Sequence, residues 1–227
     1  MRYALLGTLL FCTLFAALPA QAQQITSPYR FIEESHSIGA YGGYLLTSPG
    51  TPEVGPQSAP IFGVRYNLRF TGPLSGEAAI SFSPTRRQII TSDTLILQPE
   101  PTGETAEMAL LIAEAGLRLH LTGPRAWNGF APFVVATGGL AADLTGRGAA
   151  EEEQVPAEAQ RFRYGPGLAV GAGVGTDLFL SQRLSLRFEV RDHILRISIP
   201  AGLREDLRAE NQWTNNIGIS LGTALHF

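Results

Sequence analysis

The 227-residue chain has no lysine, a single cysteine, and no long apolar run once its opening segment is passed. Each absence removes a class of function. The 17 basic residues, all arginine, stand against 20 acidic ones and leave a formal net charge of −3. Without a basic excess or cluster there is no electrostatic grip on a phosphate backbone, so no nucleic-acid partner is expected. The one cysteine, Cys12, lies in the opening segment. If that segment is removed no thiol remains, which excludes disulfide staples, thiolate metal sites and cysteine nucleophiles together. The four histidines are scattered without local spacing, so neither a metal site nor a cofactor is expected. Beyond the opening segment no stretch of about 18 apolar residues occurs, so no helix can span a membrane.

The opening segment has the anatomy of a secretory leader. Arg2 supplies the positive end, an apolar run extends from Tyr3 to Leu18, Pro19 breaks it, and Ala20-Gln21-Ala22 is a small-x-small cleavage pattern. The alternative, acylation of Cys12, is disfavoured because Leu9-Leu10-Phe11 lacks the small residues such a site wants. The expected organisation is a leader over 1–22, an N-terminal periplasmic segment over 23–36 and one domain over 37–227.

What fills that domain is alternation. Phe62, Val64, Tyr66, Leu68 and Phe70 share one parity, and Gly63, Arg65, Asn67 and Arg69 the other. Leu184, Leu186, Phe188 and Val190 oppose Ser185, Arg187, Glu189 and Arg191. Ala78, Ile80 and Phe82 oppose Glu77, Ala79, Ser81 and Ser83. From Leu111 to Leu121 the odd positions are apolar, while the even ones include Glu114, Arg118 and His120. The last strand alternates from Ile217 to Phe227. A period of two marks strands with unlike faces. Thr105–Ala115 dissents, since TAEMALLIAEA is rich in helix formers, but it runs straight into an alternating stretch and is read as strand.

Eight strands result, at about 37–47, 61–70, 76–84, 108–121, 131–142, 167–180, 183–194 and 213–227. The connections sort by parity. Residues 48–60, 85–107, 143–166 and 195–212 are long and polar, while 71–75, 122–130 and 181–182 are short and hold turn formers such as Thr71-Gly72-Pro73. Long loops on one rim and tight turns on the other suit an up-and-down membrane barrel, and a soluble sandwich has no reason for such sorting. Alternation alone leaves open which face points inward. The leader, the missing thiols and the closing aromatic strand favour the membrane, with the charged face inside.

The chain thus resembles the small, eight-stranded, OmpA/OmpX-like outer-membrane β-barrel family. The likeness runs through Tyr29-Arg30-Phe31, Leu121-Thr122-Gly123 to Phe133, Gly171 to Gly175, Arg183 to Asp192 and the closing strand to Phe227. It implies an all-β, eight-stranded antiparallel transmembrane up-and-down β-barrel with short periplasmic turns and long extracellular loops, located in the bacterial outer membrane. It also implies Phe227 as the assembly signal read by the outer-membrane assembly machinery. The interior would then hold a polar network of Arg65, Arg69, Glu77, Glu114, Arg118, Arg187, Glu189 and Arg191, with arginine–carboxylate pairs holding down the cost of buried charge. Phe70, Trp127, Phe130, Phe133, Phe179 and Phe227 would form an aromatic girdle at the periplasmic rim.

Candidate chemistry is thin. The glycines from Gly171 to Gly175 sit inside strand-like sequence and lack the helix a phosphate loop needs. His193 and Ser198 are the best lure for a lipid A-modifying activity, but they lie five residues apart, unlike the two-residue spacing of the deacylases. Glu151-Glu152-Glu153 and Glu158 lack the spacing of a calcium loop. The expectation is a non-enzymatic outer-membrane protein with a structural or surface role and at most a narrow pore. Its partners would be outer-membrane lipid and lipopolysaccharide, plus an extracellular partner met through the loops. The rival readings are a lipid A-modifying enzyme and a soluble lipocalin-like periplasmic binder.

Overall fold

The computed structural model describes residues 27–33, 35–48, 50, 55–91, 100–145, 155, 165–199, 201, 204 and 210–227. The leader and the Glu151–Glu153 and Glu158 positions lie outside them. Ten strands are present: β1 (Tyr29–Phe31), β2 (His36–Thr47), β3 (Ala59–Thr71), β4 (Leu74–Thr91), β5 (Glu100–His120), β6 (Arg125–Trp127), β7 (Phe130–Asp143), β8 (Gly167–Phe179), β9 (Leu184–Ser198) and β10 (Asn211–His226). Eight of them pair in a ring. The order β7-β5-β4-β3-β2-β10-β9-β8 returns to β7 through a further β7–β8 ladder. All ladders are antiparallel, and the final seam, β2 with β10, runs from Asn216↔Thr47 to His226↔Ser37. A closed ring has no free edge, which is what lets strands cross a bilayer without stranding backbone polar groups.

The two extra strands are short and sit at one rim. β6 lies inside the connection between β5 and β7, and β1 pairs with it, Tyr29↔Trp127 to Phe31↔Arg125. Tyr29–Phe31, ahead of the barrel, are therefore fastened to a turn. Arg125 lies over the Phe31 ring at 4.5 Å. Ile32, the residue after β1, is buried with Ala126 and Ala131, with Phe179 packed against them.

The connection expected over 85–107 is mostly not a loop. β4 and β5 continue as a paired ribbon through Arg87↔Ala106 and Gln88↔Thr105, shift register once, and still pair at Thr91↔Glu100. Pro84 sits within β4 opposite Ala109, facing outward, and does not end the strand. A membrane strand needs about 9–11 residues, so β4 at 18 and β5 at 21 residues overshoot the bilayer. The surplus projects from the long-loop rim.

Side chains alternate around the ring, with a break at Ile89 and Ile90, both buried where β4 and β5 shift register. Val64, Ile80, Leu140, Val174 and Leu221 point outward and are more than half exposed, while Glu77, Glu189, Arg187 and Arg191 point inward and are under 5% exposed. The distribution is inverted relative to a water-soluble barrel. In water such an apolar belt would be costly, at about 25 cal/mol per Å², and in lipid it is the solvated surface.

Candidate functional site

The interior is the only place where charged groups are concentrated among the described residues, and it has two storeys. From the short-turn rim upward, the inward face of β9 reads Ser185, Arg187, Glu189, Arg191, His193 and then Leu195 and Ile197. On β5 it reads His120, Arg118, Gly116, Glu114 and then Ile112, Leu110 and Met108. The switch from charge to hydrocarbon occurs on both strands, while the inward positions of β4 and β10 beside it stay polar, with Ser83, Thr85, Arg87 and Thr214 buried.

In the polar storey four carboxylates each bridge at least two basic side chains. Glu189 accepts from Arg65 and, at 2.7 Å, from Arg191 Nε. Glu77 accepts from Arg191 and, at 3.1 Å, from Arg187 Nη1. Glu114 takes Arg191 Nη1 at 3.4 Å and His193 Nδ1 at 3.2 Å. Asp177 takes Arg187 Nε at 2.6 Å and Arg187 Nη2 at 3.3 Å, a forked pair, with Arg118 Nη1 at 3.4 Å. Arg191 thus ties together three carboxylates from three strands. Such sharing offsets the several kcal/mol per ion that desolvation costs. Aromatic rings complete the cage. Arg65 sits 3.9 Å over Tyr41, and the Phe133 ring lies about equally far from Arg118 and Arg187, at 5.0 and 5.1 Å.

Glycine makes room for this. A Cβ at Gly171 would stand 2.2 Å from Thr137 Oγ1 and 2.7 Å from Glu114 Oε1, and one at Gly175 would meet the Phe133 ring at 2.6 Å. The tract from Gly171 to Gly175 is strand throughout, its inward glycines cleared for the side chains of opposite strands.

The upper storey is an apolar plug. Leu45, Ile61, Ile90, Met108, Leu110, Ile112, Ala141, Ala169, Leu195, Ile197 and Ile199 form one buried cluster. Above it Val155, from the connection between β7 and β8, packs with Ile89 and Ala106 of the β4–β5 ribbon. Around this level the outward face turns polar, with Arg86, Glu107, Thr105 and Asn215 exposed. The barrel is therefore inside-out in its lower part and has the polarity of a soluble barrel in its upper part.

Seven of the eight residues expected in the interior network share these ion pairs; Arg69 does not. It points inward half-buried and donates from Nη1 to the Ile32 carbonyl at 2.8 Å, with no carboxylate within bridging range among the described residues. Asp177 is a further member, outside the set expected from the sequence. It shares the inward parity of Gly171, Gly173 and Gly175, which would have found it. Phe133 and Phe179 are not girdle residues. Phe133 is 1% exposed inside the cage, and Phe179 packs on Ile32, Ala126 and Ala131 and lies 4.9 Å from the His226 ring. Both sit on the inward parity of their strands. Phe70, Trp127, Phe130 and Phe227 are outward and exposed, joined by Tyr29 and Phe31 of β1.

His193 and Ser198 do not form a dyad. His193 faces inward against Glu114, while Ser198 faces outward, 3.4 Å from Asn211 Oδ1. His120 and His226 are buried at the short-turn end, His226 Nε2 lying 2.8 Å from Ser185 Oγ. Phe227 is exposed, exchanges backbone hydrogen bonds of 3.0 and 3.1 Å with His36, and stacks on its ring.

No family model matches the chain, and no curated protein matches it in sequence. Solved structures do. The outer membrane protein OprG from Pseudomonas aeruginosa superposes with a TM-score of 0.50 at 13% identity, covering 86% of this chain and 97% of that one. Neisserial surface protein A gives 0.47 at 13% identity over 88% and 98%, and outer membrane protein W of E. coli gives 0.43 at 13% over 86% and 100%. At such identity the likeness to OprG speaks for the fold. That fold and the apolar outer belt together make this chain an integral β-barrel of the outer-membrane kind.

Proposed function

We propose that this integral outer-membrane protein is a sealed, non-conducting barrel that works through the surface it raises above the membrane. The observation behind this reading is the closure of the interior at three levels. Ile32 packs beneath the barrel with Ala126 and Ala131, the ion-pair cage fills the middle, and the apolar cluster around Leu110 fills the top. A water path would have to cross the storey that Leu110, Ile112, Leu195 and Ile197 fill. The β4–β5 ribbon then carries Arg86 and Glu107 beyond the belt, beside the connections that would meet lipopolysaccharide or an extracellular partner.

Two parts of this reading concern the chain's route to the membrane. The leader over 1–22 directs export, and Phe227, outward at the periplasmic edge, is the group the assembly machinery reads. Phe227→Ala should lower the amount of assembled barrel in cells several-fold while leaving refolding into detergent micelles nearly unchanged. Equal loss in both settings would make Phe227 a stability residue only.

The function itself is tested by planar-bilayer conductance of the refolded chain, with the gel shift of the unboiled protein as control for folding. Folded protein should be silent. Steady ion-selective openings would defeat the sealed-barrel reading and make diffusion the function to pursue.

A further inference from the structure

The periplasmic end of the polar storey holds groups that the ion-pair cage does not use. There a cavity of about 10 Å³ is lined by Asn67, Arg69, Arg118, His120 and His226, with one carboxylate, Asp177, which is already shared by Arg187 and Arg118. That is about the room one water-sized particle requires. Its lining carries three buried polar atoms with no hydrogen-bond partner among the described residues: Arg69 Nε, Arg118 Nε and Asn67 Oδ1. Asn67 and Arg118 are 3% and 4% exposed. Three orphaned polar atoms on one small cavity are unusual, because each costs about 1–3 kcal/mol when left unmade.

Charge narrows the choice of occupant. With the histidines neutral, the polar storey holds, among the described residues, five guanidiniums, Arg65, Arg69, Arg118, Arg187 and Arg191, against four carboxylates, Glu77, Glu114, Asp177 and Glu189. Arg65, Arg118, Arg187 and Arg191 each have a carboxylate within 4.0 Å. Among the described residues the Arg69 guanidinium has the Ile32 carbonyl alone. The surplus of one positive charge therefore sits at this cavity. A neutral water would satisfy hydrogen bonds there and leave the charge uncompensated.

We propose that this cavity is a binding site for one small monovalent anion of halide type, held between Arg69 and Arg118. Both guanidiniums are unconditional donors. Asn67 joins them by turning over its amide. Its Nδ2 now lies 3.2 Å from Ser37 Oγ, and a hydroxyl can donate to the amide oxygen as readily as accept from the nitrogen. The flip puts a third donor, Asn67 Nδ2, in the place of the unpartnered Oδ1. A halide is somewhat wider than water, so the lining must yield a little. Arg69, half-buried and tied by one hydrogen bond, is the side chain free to do so. The cavity also touches Ser35 and His36 at the start of β2.

The test is anomalous diffraction from crystals of the refolded chain grown in sodium bromide. An anomalous peak between the Arg69 and Arg118 guanidiniums is expected. An ordered water there without anomalous signal, or bromide only elsewhere, would overturn the site. Unfolding in detergent gives an independent readout, comparing sodium bromide with sodium gluconate at equal ionic strength. Bromide at ten times its Kd should lower the unfolding equilibrium constant about tenfold, and Arg69→Met should abolish that dependence while keeping the folded gel shift. Identical wild-type midpoints in both salts, or a dependence that survives in Arg69→Met, would contradict the proposal.

Discussion

The lower and upper parts of this barrel solve opposite solvent problems with the same strands. In the lower part the solvent is hydrocarbon, so Ile80 and Leu140 face out and Glu77 and Arg191 face in. In the upper part the solvent is water, so Arg86 and Glu107 face out and Leu110 and Ile197 face in. Neither ladder nor register is interrupted where the two meet; β5 pairs with β4 from Leu119 up to Met108 without a break. Fold and polarity are thus separable. The strands supply a closed hydrogen-bonded wall, and the parity of the hydrophobic residues decides where the bilayer sits.

The largest expected effect breaks the lower half alone. Glu189→Leu removes the carboxylate shared by Arg65 and Arg191 and leaves both cations short of a partner. It should destabilise the refolded barrel by about 3–5 kcal/mol in urea titrations. A near-neutral value would mean that the cage does not hold the lower part together. The matching cut in the upper half is Leu110→Ala at a fully buried site, expected to cost about 3 kcal/mol through lost transfer energy and a cavity. Equal solvent access around Leu110 and its alanine replacement, with no loss of stability, would mean the plug is not packed.

Smaller changes sharpen the contrast. Ile80→Arg places a charge in the belt and should cost about 2–4 kcal/mol, whereas Glu107→Arg, on the outward face of the ribbon, should cost less than about 0.5 kcal/mol. The pair tests the boundary directly, because both residues point outward from neighbouring strands. Gly171→Ala should cost about 1–3 kcal/mol, since its Cβ is driven against Thr137 and Glu114. If it folds with wild-type stability, the cage is looser than its distances state.

Much of this was legible in residue patterns. The eight barrel strands and their sorted connections follow from period-two alternation and turn formers, and most strand limits fall within three residues of those read from sequence. The exception is instructive. Met108–Ile112 is apolar at nearly every position because it lies where the outward belt overlaps the inward plug, so both parities are hydrophobic and the period is lost. The same overlap produces Tyr44-Leu45-Leu46 on β2 and Ile194-Leu195 on β9. Such a run mimics a helix on propensity, and it hid the length of β4 and β5 together with polar Thr85-Arg86-Arg87.

The partners inside the barrel were not legible for a different reason. Arg65 meets Glu189 across 124 positions of sequence, a pairing fixed by the ring's closure and by register across several strands. Residues could be assigned to the interior by parity, but not to one another. Parity also placed His193 inside, on the face of Arg187, Glu189 and Arg191. Ser198, five residues on, falls by the same parity on the other face, so the two cannot form a dyad.

The claim that polarity inverts along the barrel is tested most directly by spin labels on the refolded chain from Gln23, which contains no other cysteine. Labels at Ile80 and Glu107 would be compared for collision with oxygen and with a water-soluble nickel chelate in bilayers. Ile80 should favour oxygen, as lipid-facing sites do, and Glu107 should favour nickel. A lipid signature at Glu107, or a water signature at Ile80, would contradict the account.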